Sequence, residues 1–286
     1  DAIESMLSNL QDKDNLSPME QPDNLNATLR PYQNRGLSWL SYLEDLGMSP
    51  CLADDMGLGK TMQVIALLLA RPRDSAALLV APTSVVGNWH REIQKFAPSL
   101  KATIHHGSDR KQKDEFKEEV KAHDLIITSY GLIRRDKDLF NKYTWSRLII
   151  DEAQNIKNPA ATQTKILYKI PSESRIALTG TPIENRLMDL WSLFNFLNPG
   201  FLGTRALFRK GFELPVQRDN NAHQTKILKS LVEPFILRRL KTDKNIIHDL
   251  PDKIEQKVYC ELTKEQASIY QSIVDEVEES MKEVED

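Results

Sequence analysis

Cysteine is scarce: Cys51 and Cys260 are the only two in 286 residues, too few and too far apart for a disulfide framework or a thiolate metal site. They read as buried free thiols in a reducing compartment. The six histidines fall in no ligand spacing either. Long apolar runs are missing too: residues 64–70 make a run of seven, well short of the ~18 that a membrane-spanning helix needs. No N-terminal stretch has the charged-then-apolar build of a secretory signal, and nothing repeats at a solenoid period. The expectation is a cytoplasmic chain with no membrane partner, large enough for one sizeable α/β domain and a smaller appendage.

Charge is present in quantity but unevenly placed. Residues 1–26 hold six acids and one base, residues 275–286 seven acids and one base, and the whole chain is −3. The ends are therefore −5 and −6, which leaves +8 on residues 27–274. A basic body between acidic ends suits a polyanionic partner.

One stretch organises the rest. Leu52-Ala53-Asp54-Asp55-Met56-Gly57-Leu58-Gly59-Lys60-Thr61 leads from a short strand, 51–53, into an apolar helical run. Gly57 and Gly59 permit backbone angles at which successive N–H groups, from Met56 to Thr61, face phosphate oxygens. The helix that opens near Lys60 adds its positive end. Lys60 then reaches the outer phosphates, and the Thr61 hydroxyl suits Mg²⁺. The pattern G-x-x-x-x-G-K-[ST] has glycine where this chain has Asp54.

The surroundings repeat in a regular way. Residues 1–26 read as an acidic segment with a weak helix at 3–10 and then a linker, and order is expected from Leu29. Leu37, Leu40, Leu43 and Leu46 recur at helical spacing until Gly47 ends the helix. β-rich runs at 77–81, 102–105, 125–128, 148–150 and 176–178 then alternate with helical stretches such as 85–96 and 111–121. Continuous apolar strands separated by helices imply a parallel sheet covered on both faces, with ligands at the carboxyl ends of its strands. From Ile183 the rhythm becomes helical: 189–197 is apolar and helical, and 201–236 carries Arg205, Arg209, Lys210 and Arg218 without strand signals. Residues 251–262 read as extended, and an acidic amphipathic helix follows from 264 to about 284.

Two strand ends carry chemistry. Arg147-Leu148-Ile149-Ile150 delivers Asp151 and Glu152: Asp151 is placed to hold Mg²⁺, Glu152 to orient or deprotonate a water. Leu178 leads to Thr179-Gly180-Thr181-Pro182, a turn whose hydroxyls suit sensing Glu152 and the terminal phosphate. Either motif by itself is also an ordinary strand-ending turn. Gln33 offers an amide that matches the N6 and N7 edge of adenine.

Seven ordered segments carry a resemblance: Leu-Arg-Pro-Tyr-Gln (29–33), Asp-Asp-Met-Gly-Leu-Gly-Lys-Thr (54–61), Ala-Pro-Thr-Ser-Val-Val-Gly-Asn-Trp (81–89), Ile-Thr-Ser-Tyr-Gly (127–131), Asp-Glu-Ala-Gln-Asn-Ile-Lys-Asn (151–158), Leu-Thr-Gly-Thr-Pro-Ile-Glu-Asn (178–185) and Pro-Phe-Ile-Leu-Arg-Arg (234–239). Over roughly residues 27–270 the chain resembles the SWI/SNF-type DNA translocases of helicase superfamily two, and is most similar to their bacterial and archaeal members. That family tolerates Asp at position 54, more often has Glu at 55, and more often has His where Gln154 stands. The resemblance implies an α/β fold, a RecA-like P-loop NTPase lobe on a parallel sheet with a helical protrusion inserted near its C-terminal end. The implied divisions are an acidic segment 1–26, the ATP-binding lobe 27–182, the protrusion and return 183–250, and the start of an inter-lobe linker 251–286. ATP and Mg²⁺ are the implied cofactors and double-stranded DNA the implied partner, lying across Thr83, Ser84, Thr128, Ser129, Lys157 and Asn158. Helix capping is the alternative for Thr83, Ser84 and Ser129, and Trp89 reads as packing. A second RecA-like lobe, for which the 24 residues after Leu262 leave no room, would carry the arginines that complete the ATP site, so this chain is expected to hydrolyse ATP very slowly. The rival readings are an RNA helicase lobe and a non-enzymatic nucleic-acid-binding or regulatory module with a relic nucleotide site.

Overall fold

The computed structural model describes residues 16–181, 186–243 and 263–285. The expected helix at 3–10 and the extended stretch at 251–262 lie outside them. The chain divides into two compact units, Asp1–His248 and Asp249–Asp286. In the second, helix α12 (Lys264–Glu285) matches the expected acidic helix.

The first unit is built on seven parallel strands in the order β3 (Ala102–Ile104), β4 (Leu125–Ser129), β2 (Ala77–Ala81), β5 (Trp145–Ile150), β6 (Ser172–Leu178), β1 (Cys51–Leu52) and β7 (Ile236–Leu237). Along the chain, α1 (Pro31–Asp45) precedes β1 (Cys51–Leu52), α2 (Lys60–Ala70), β2 (Ala77–Ala81), α3 (Thr83–Phe96) and β3 (Ala102–Ile104). Then come α4 (Lys113–Ala122), β4 (Leu125–Ser129), α5 (Tyr130–Arg135), α6 (Lys137–Phe140), β5 (Trp145–Ile150), α7 (Thr162–Lys169) and β6 (Ser172–Leu178). Pro31 at the first helical position pre-sets α1, and Gly47 at φ +66° follows its end.

Alternation along the strands sorts side chains into two buried layers. Leu79, Ile127 and Ile149 join Leu37, Leu40, Val64 and Leu67 on one face. Leu78, Val80, Leu148 and Ile150 join Phe116, Phe140 and Trp145 on the other. Each such side chain contributes roughly 1.5–3 kcal/mol by leaving water, so the apolar strands hold the sheet between its helices.

Strand β5 starts three residues before the expected run because Arg147, 1% exposed, is not a boundary but half of a buried pair. Its Nε and Nη2 donate to Glu44 Oε1 (2.6 Å) and Oε2 (2.9 Å) at the end of α1. Burial opposes the Glu44 charge, but Arg147, Arg73 and Arg71 hold its carboxyl below the usual value. Order also begins earlier than Leu29. Leu16 and Met19 pack on the core, Leu25 is buried, and Asn26 N–H donates to the Phe96 carbonyl (2.7 Å). These apolar residues are too sparse to show a period, so the sequence reads as a linker there.

After β6 the chain turns helical as expected. Helix α8 (Leu187–Leu197) is followed by α9 (Arg205–Phe208), a π-helical turn (Arg209–Glu213), α10 (Leu214–Gln217) and α11 (Ala222–Val232). The return adds what the sequence did not suggest: β7 (Ile236–Leu237) pairs with β1, aligning Cys51 with Ile236 and Leu52 with Leu237.

An all-parallel sheet sends every strand's carboxyl end to one edge. The registers Val80↔Thr128, Val80↔Ile150 and Leu52↔Leu178 therefore bring the turns after β1, β2, β4, β5 and β6 together.

Candidate nucleotide site

The loop from Ala53 to Gly59 leaves β1 and enters α2 as a cradle. Gly57 and Gly59 sit at φ +83° and +79°, where a side chain would be strained. A Cβ on Gly59 would also lie 2.3 Å from Gln33 Nε2. Leu58 is buried while Met56 at the loop tip is 73% exposed, so the loop is pinned at one residue and open at another. The pin is the Leu58 carbonyl, which accepts from Tyr32 Oη (3.0 Å) and Gln33 Nε2 (3.2 Å). Gln33 Oε1 accepts from Arg30 N–H (2.9 Å), so its amide keeps one N–H and one lone pair for a base edge. Lys60 Nζ donates to the Asp54 carbonyl (2.6 Å), inside the cradle.

The misfit at position 54 has a structural reason. Asp54 is fully buried and accepts from Arg239 N–H (3.1 Å), Arg239 Nε (2.8 Å) and Gln63 Nε2 (3.2 Å). Arg239 Nη2 pairs with the same carboxylate and donates to Gln63 Oε1 (2.7 Å), and Nη1 reaches the Tyr32 carbonyl. Gly36 makes room: a Cβ there would fall 1.9 Å from Gln63 Oε1. The backbones are zipped as well, Ala53 N–H to the Leu237 carbonyl (2.7 Å) and Asp55 N–H to the Arg239 carbonyl (3.0 Å). Lys241 follows, its N–H bonded to Asp55 Oδ2 (3.1 Å) and its Nζ 2.9 Å from where a Gly57 Cβ would be. Asp54 thus belongs to a clamp between the loop and the segment after β7.

Asp151 and Glu152 emerge from β5 as expected. Trp89 Nε1 donates to Asp151 Oδ2 (2.7 Å), Glu152 N–H to Oδ1 (2.9 Å), and Tyr130 Oη to the Asp151 carbonyl (2.6 Å). Burial pushes the Asp151 carboxyl up, and the Trp89 and Glu152 bonds pull it partly back. Burial, with the Asp151 and Glu152 charges, raises the Tyr130 phenol well above its usual value and keeps it a donor. Glu152 sits at φ +51°, a left-handed conformation that costs about 1–3 kcal/mol and aims its carboxylate off the strand line. Gln154 then bridges, its Nε2 donating to Glu152 Oε2 (2.8 Å) and its Oε1 accepting from Thr179 Oγ1 (3.0 Å). Thr179 Oγ1 in turn accepts from Thr181 N–H (3.1 Å). A Cβ on Gly180 would lie 3.7 Å from Met56 Cγ, so this turn also neighbours the cradle tip.

Gln33, Gly57, Lys60, Thr61, Asp151 and Glu152 line one open cleft of about 630 Å³, within the range of small-ligand sites. Among the described residues neither Asp151 nor Glu152 has an ion-pair partner. The half-buried Asp151 carboxylate and the Thr61 hydroxyl line the same cleft and make a hard-oxygen donor set that fits Mg²⁺. The cradle fits a polyphosphate through its backbone N–H groups other than that of Leu58, which donates to the Asp55 carbonyl (3.2 Å).

The expected nucleic-acid contacts divide. Thr83 and Ser84 are exposed at the start of α3, whose N-terminus carries no side-chain capping bond, so capping does not account for them. Lys157 and Asn158 are exposed after β5. Thr128 must be corrected: it is fully buried and its Oγ1 donates to the His105 carbonyl (3.1 Å). Ser129 is 3% exposed. Strand β4 runs through Ser129, one residue beyond the expected end, and so draws both hydroxyls inside. Trp89, read as packing, is buried but also holds Asp151. Arg239, Gln63, Gly36, Tyr130, Lys241 and the Gln154 bridge are not site groups in the sequence reading; of these, Tyr130, Gln154 and Arg239 lie in the seven quoted segments, and Lys241 follows two residues after the last of them.

A model of the SNF2-related domain matches residues 32–285. A putative ATP-dependent helicase/translocase of Bacillus subtilis, YwqA, is 42% identical over 276 residues, 95% of this chain and 30% of its own length. Helicase SWR1 of Cryptococcus neoformans is 38% identical over 290 residues, 91% of this chain and 23% of its own. The Sulfolobus solfataricus SWI2/SNF2 ATPase core in complex with dsDNA superposes with a TM-score of 0.75 at 43% identity, covering 93% of this chain and 56% of that one. This chain thus spans under a third of those two curated relatives. It belongs to the SNF2-related family, and its parallel sheet is the RecA-like lobe of a SWI/SNF-type ATPase.

Proposed function

We propose that this lobe binds ATP with Mg²⁺ and works in a DNA-dependent ATPase that translocates on double-stranded DNA and remodels protein–DNA complexes. The observation that carries the reading is the convergence of the Lys60 loop and the Asp151–Glu152 strand end on one cleft. Backbone N–H groups from Met56 to Thr61, apart from that of Leu58, which the Asp55 carbonyl holds, would cradle the phosphates. Lys60 exchanges the Asp54 carbonyl for a phosphate oxygen, and Gln33 offers its remaining donor and acceptor to adenine. Thr61 and Asp151 would hold Mg²⁺, which when bound neutralises phosphate charge. Glu152, aimed by its left-handed backbone, takes the proton of the attacking water. Gln154 passes the state of Glu152 to Thr179, Gly180 and Thr181.

The residues here flank one side of the nucleotide. We assign the other side to a second RecA-like lobe of the parent protein, in keeping with the 56% of the archaeal core that this chain covers. Without it, turnover falls by the ~10³ to 10⁵ that a completing arginine contributes. Thr83, Ser84, Lys157 and Asn158 are exposed at the sheet edge and suit phosphate contacts that position DNA without reading its sequence. The +8 body supports a polyanion track, and the place of action is the cytoplasm. Intact Lys60, Thr61, Asp151 and Glu152 argue against a relic site. The test is hydrolysis by a protein carrying both lobes, with duplex DNA, with RNA and with neither. Stimulation by duplex DNA, abolished by Glu152→Gln, is expected; stimulation by RNA alone, or activity untouched by Glu152→Gln, would overturn the reading.

A further inference from the structure

A second cleft, of about 640 Å³, opens among the protrusion helices and is as large as the nucleotide cleft. Arg186, Arg205, Arg209 and Arg218 line it, all four exposed, against a single acid, Glu213. Among the described residues Arg209 alone of the four has an ion-pair partner, Glu213 at 3.7 Å across one turn. Among the described residues, three guanidinium groups of the cleft therefore have no ion-pair partner. A chance scatter of surface arginines would not share one concavity. Here the backbone gathers them.

Residues 205–217 run as one continuous helix through the π-helical turn 209–213, since every junction residue is helical. In a 3.6-residue helix, steps of four overshoot one turn by about 40°, so Arg205, Arg209, Glu213 and Gln217 would spiral away from a common face. The wider i→i+5 turn takes up part of that overshoot and keeps them together. Such turns cost hydrogen-bond geometry and recur at functional sites. Arg186, at the N-cap of α8, lines the same cleft.

We propose that this cleft is a second phosphate-binding surface, one that grips the backbone of duplex DNA with residues distinct from those at the sheet edge. The inference rests on the DNA reading above and adds to it where the duplex is held. Guanidinium forks match phosphate oxygens in pairs and are weakly hydrated, which suits a charged, open groove. Met188 and Leu214 give the lining apolar ground of the kind that sugar faces contact.

The test is equilibrium binding of a fluorescent duplex to this chain across salt concentrations. Three proteins are compared: wild type, Arg205→Ala/Arg218→Ala, and Lys157→Ala at the sheet edge. ATP binding by each variant serves as the check on folding. The double arginine variant is expected to bind ATP normally, to bind duplex about tenfold more weakly, and to lose about two from the slope of log K against log salt, one per phosphate contact. Should it keep wild-type affinity and slope while Lys157→Ala loses both, the cleft is not a DNA surface and the sheet-edge reading survives. If it keeps duplex binding but loses a polyglutamate peptide, the partner is an acidic protein and the proposal is wrong. A wild-type chain that binds no duplex at any salt contradicts the DNA reading and this proposal with it.

Discussion

Asp54 marks the difference between a pattern and a site. Restoring the glycine that the phosphate-loop pattern has at that position would strip Arg239 of its carboxylate while leaving the guanidinium 5% exposed. Removing one partner of a buried pair costs about 3–5 kcal/mol. Asp54→Gly and Arg239→Ala are each expected to lower unfolding free energy by that much in denaturant titrations. An Asp54→Leu/Arg239→Met double variant should cost less than the sum, because no lone charge is left buried. Additive losses would show that the clamp carries no coupling. Asp54 was legible as an anomaly, but its explanation was not: Arg239 lies 185 residues away, and no spacing rule links them. The same holds for Gly36, an unremarkable helix glycine until Gln63 is seen against it.

Among the elements, the central strands were legible because burial on both faces demands unbroken apolar runs: β2 sits where the sequence places it, and β4 and β6 differ only at their ends. What escaped was set by partners distant in sequence. The start of β5 depends on Glu44, and β7, two residues long, forms because β1 lacks a neighbour on that side. The turn after β3 carries a pH prediction. His105 is buried between Phe116 and Phe140, its Nε2 at 3.0 Å from Asp136, which also binds Arg110, with Glu119 nearby. Burial lowers the imidazole pKa below its usual 6.5, and the hydrogen bond and charge of Asp136 only partly oppose this. The unfolded chain therefore binds the proton first, so stability falls as pH drops from about 6.5 toward the folded value. The denaturant midpoint is expected to decline between pH 7.5 and 5.5, and His105→Gln should flatten that decline. An unchanged decline in the variant would assign it elsewhere.

Across the whole molecule, function concentrates where a parallel sheet must put it. Five strand ends meet at one edge, so a phosphate loop, two carboxylates and a hydroxyl turn spread from Ala53 to Thr181 become neighbours. That convergence was legible from the order and apolar character of the strands, together with the residues that end them. The arginine cleft was not, because helical spacing alone does not foretell a π-helical turn. The central claim is that Lys60, Asp151 and Glu152 serve one bound nucleotide. Titrating this chain with ATP and Mg²⁺ at equilibrium tests it most directly. Saturable binding is expected in the wild type, at least about tenfold weaker binding in Lys60→Ala, a loss of roughly 1.4 kcal/mol or more, and near-wild-type binding in Glu152→Gln. ATP binding that Lys60→Ala leaves untouched would contradict the account.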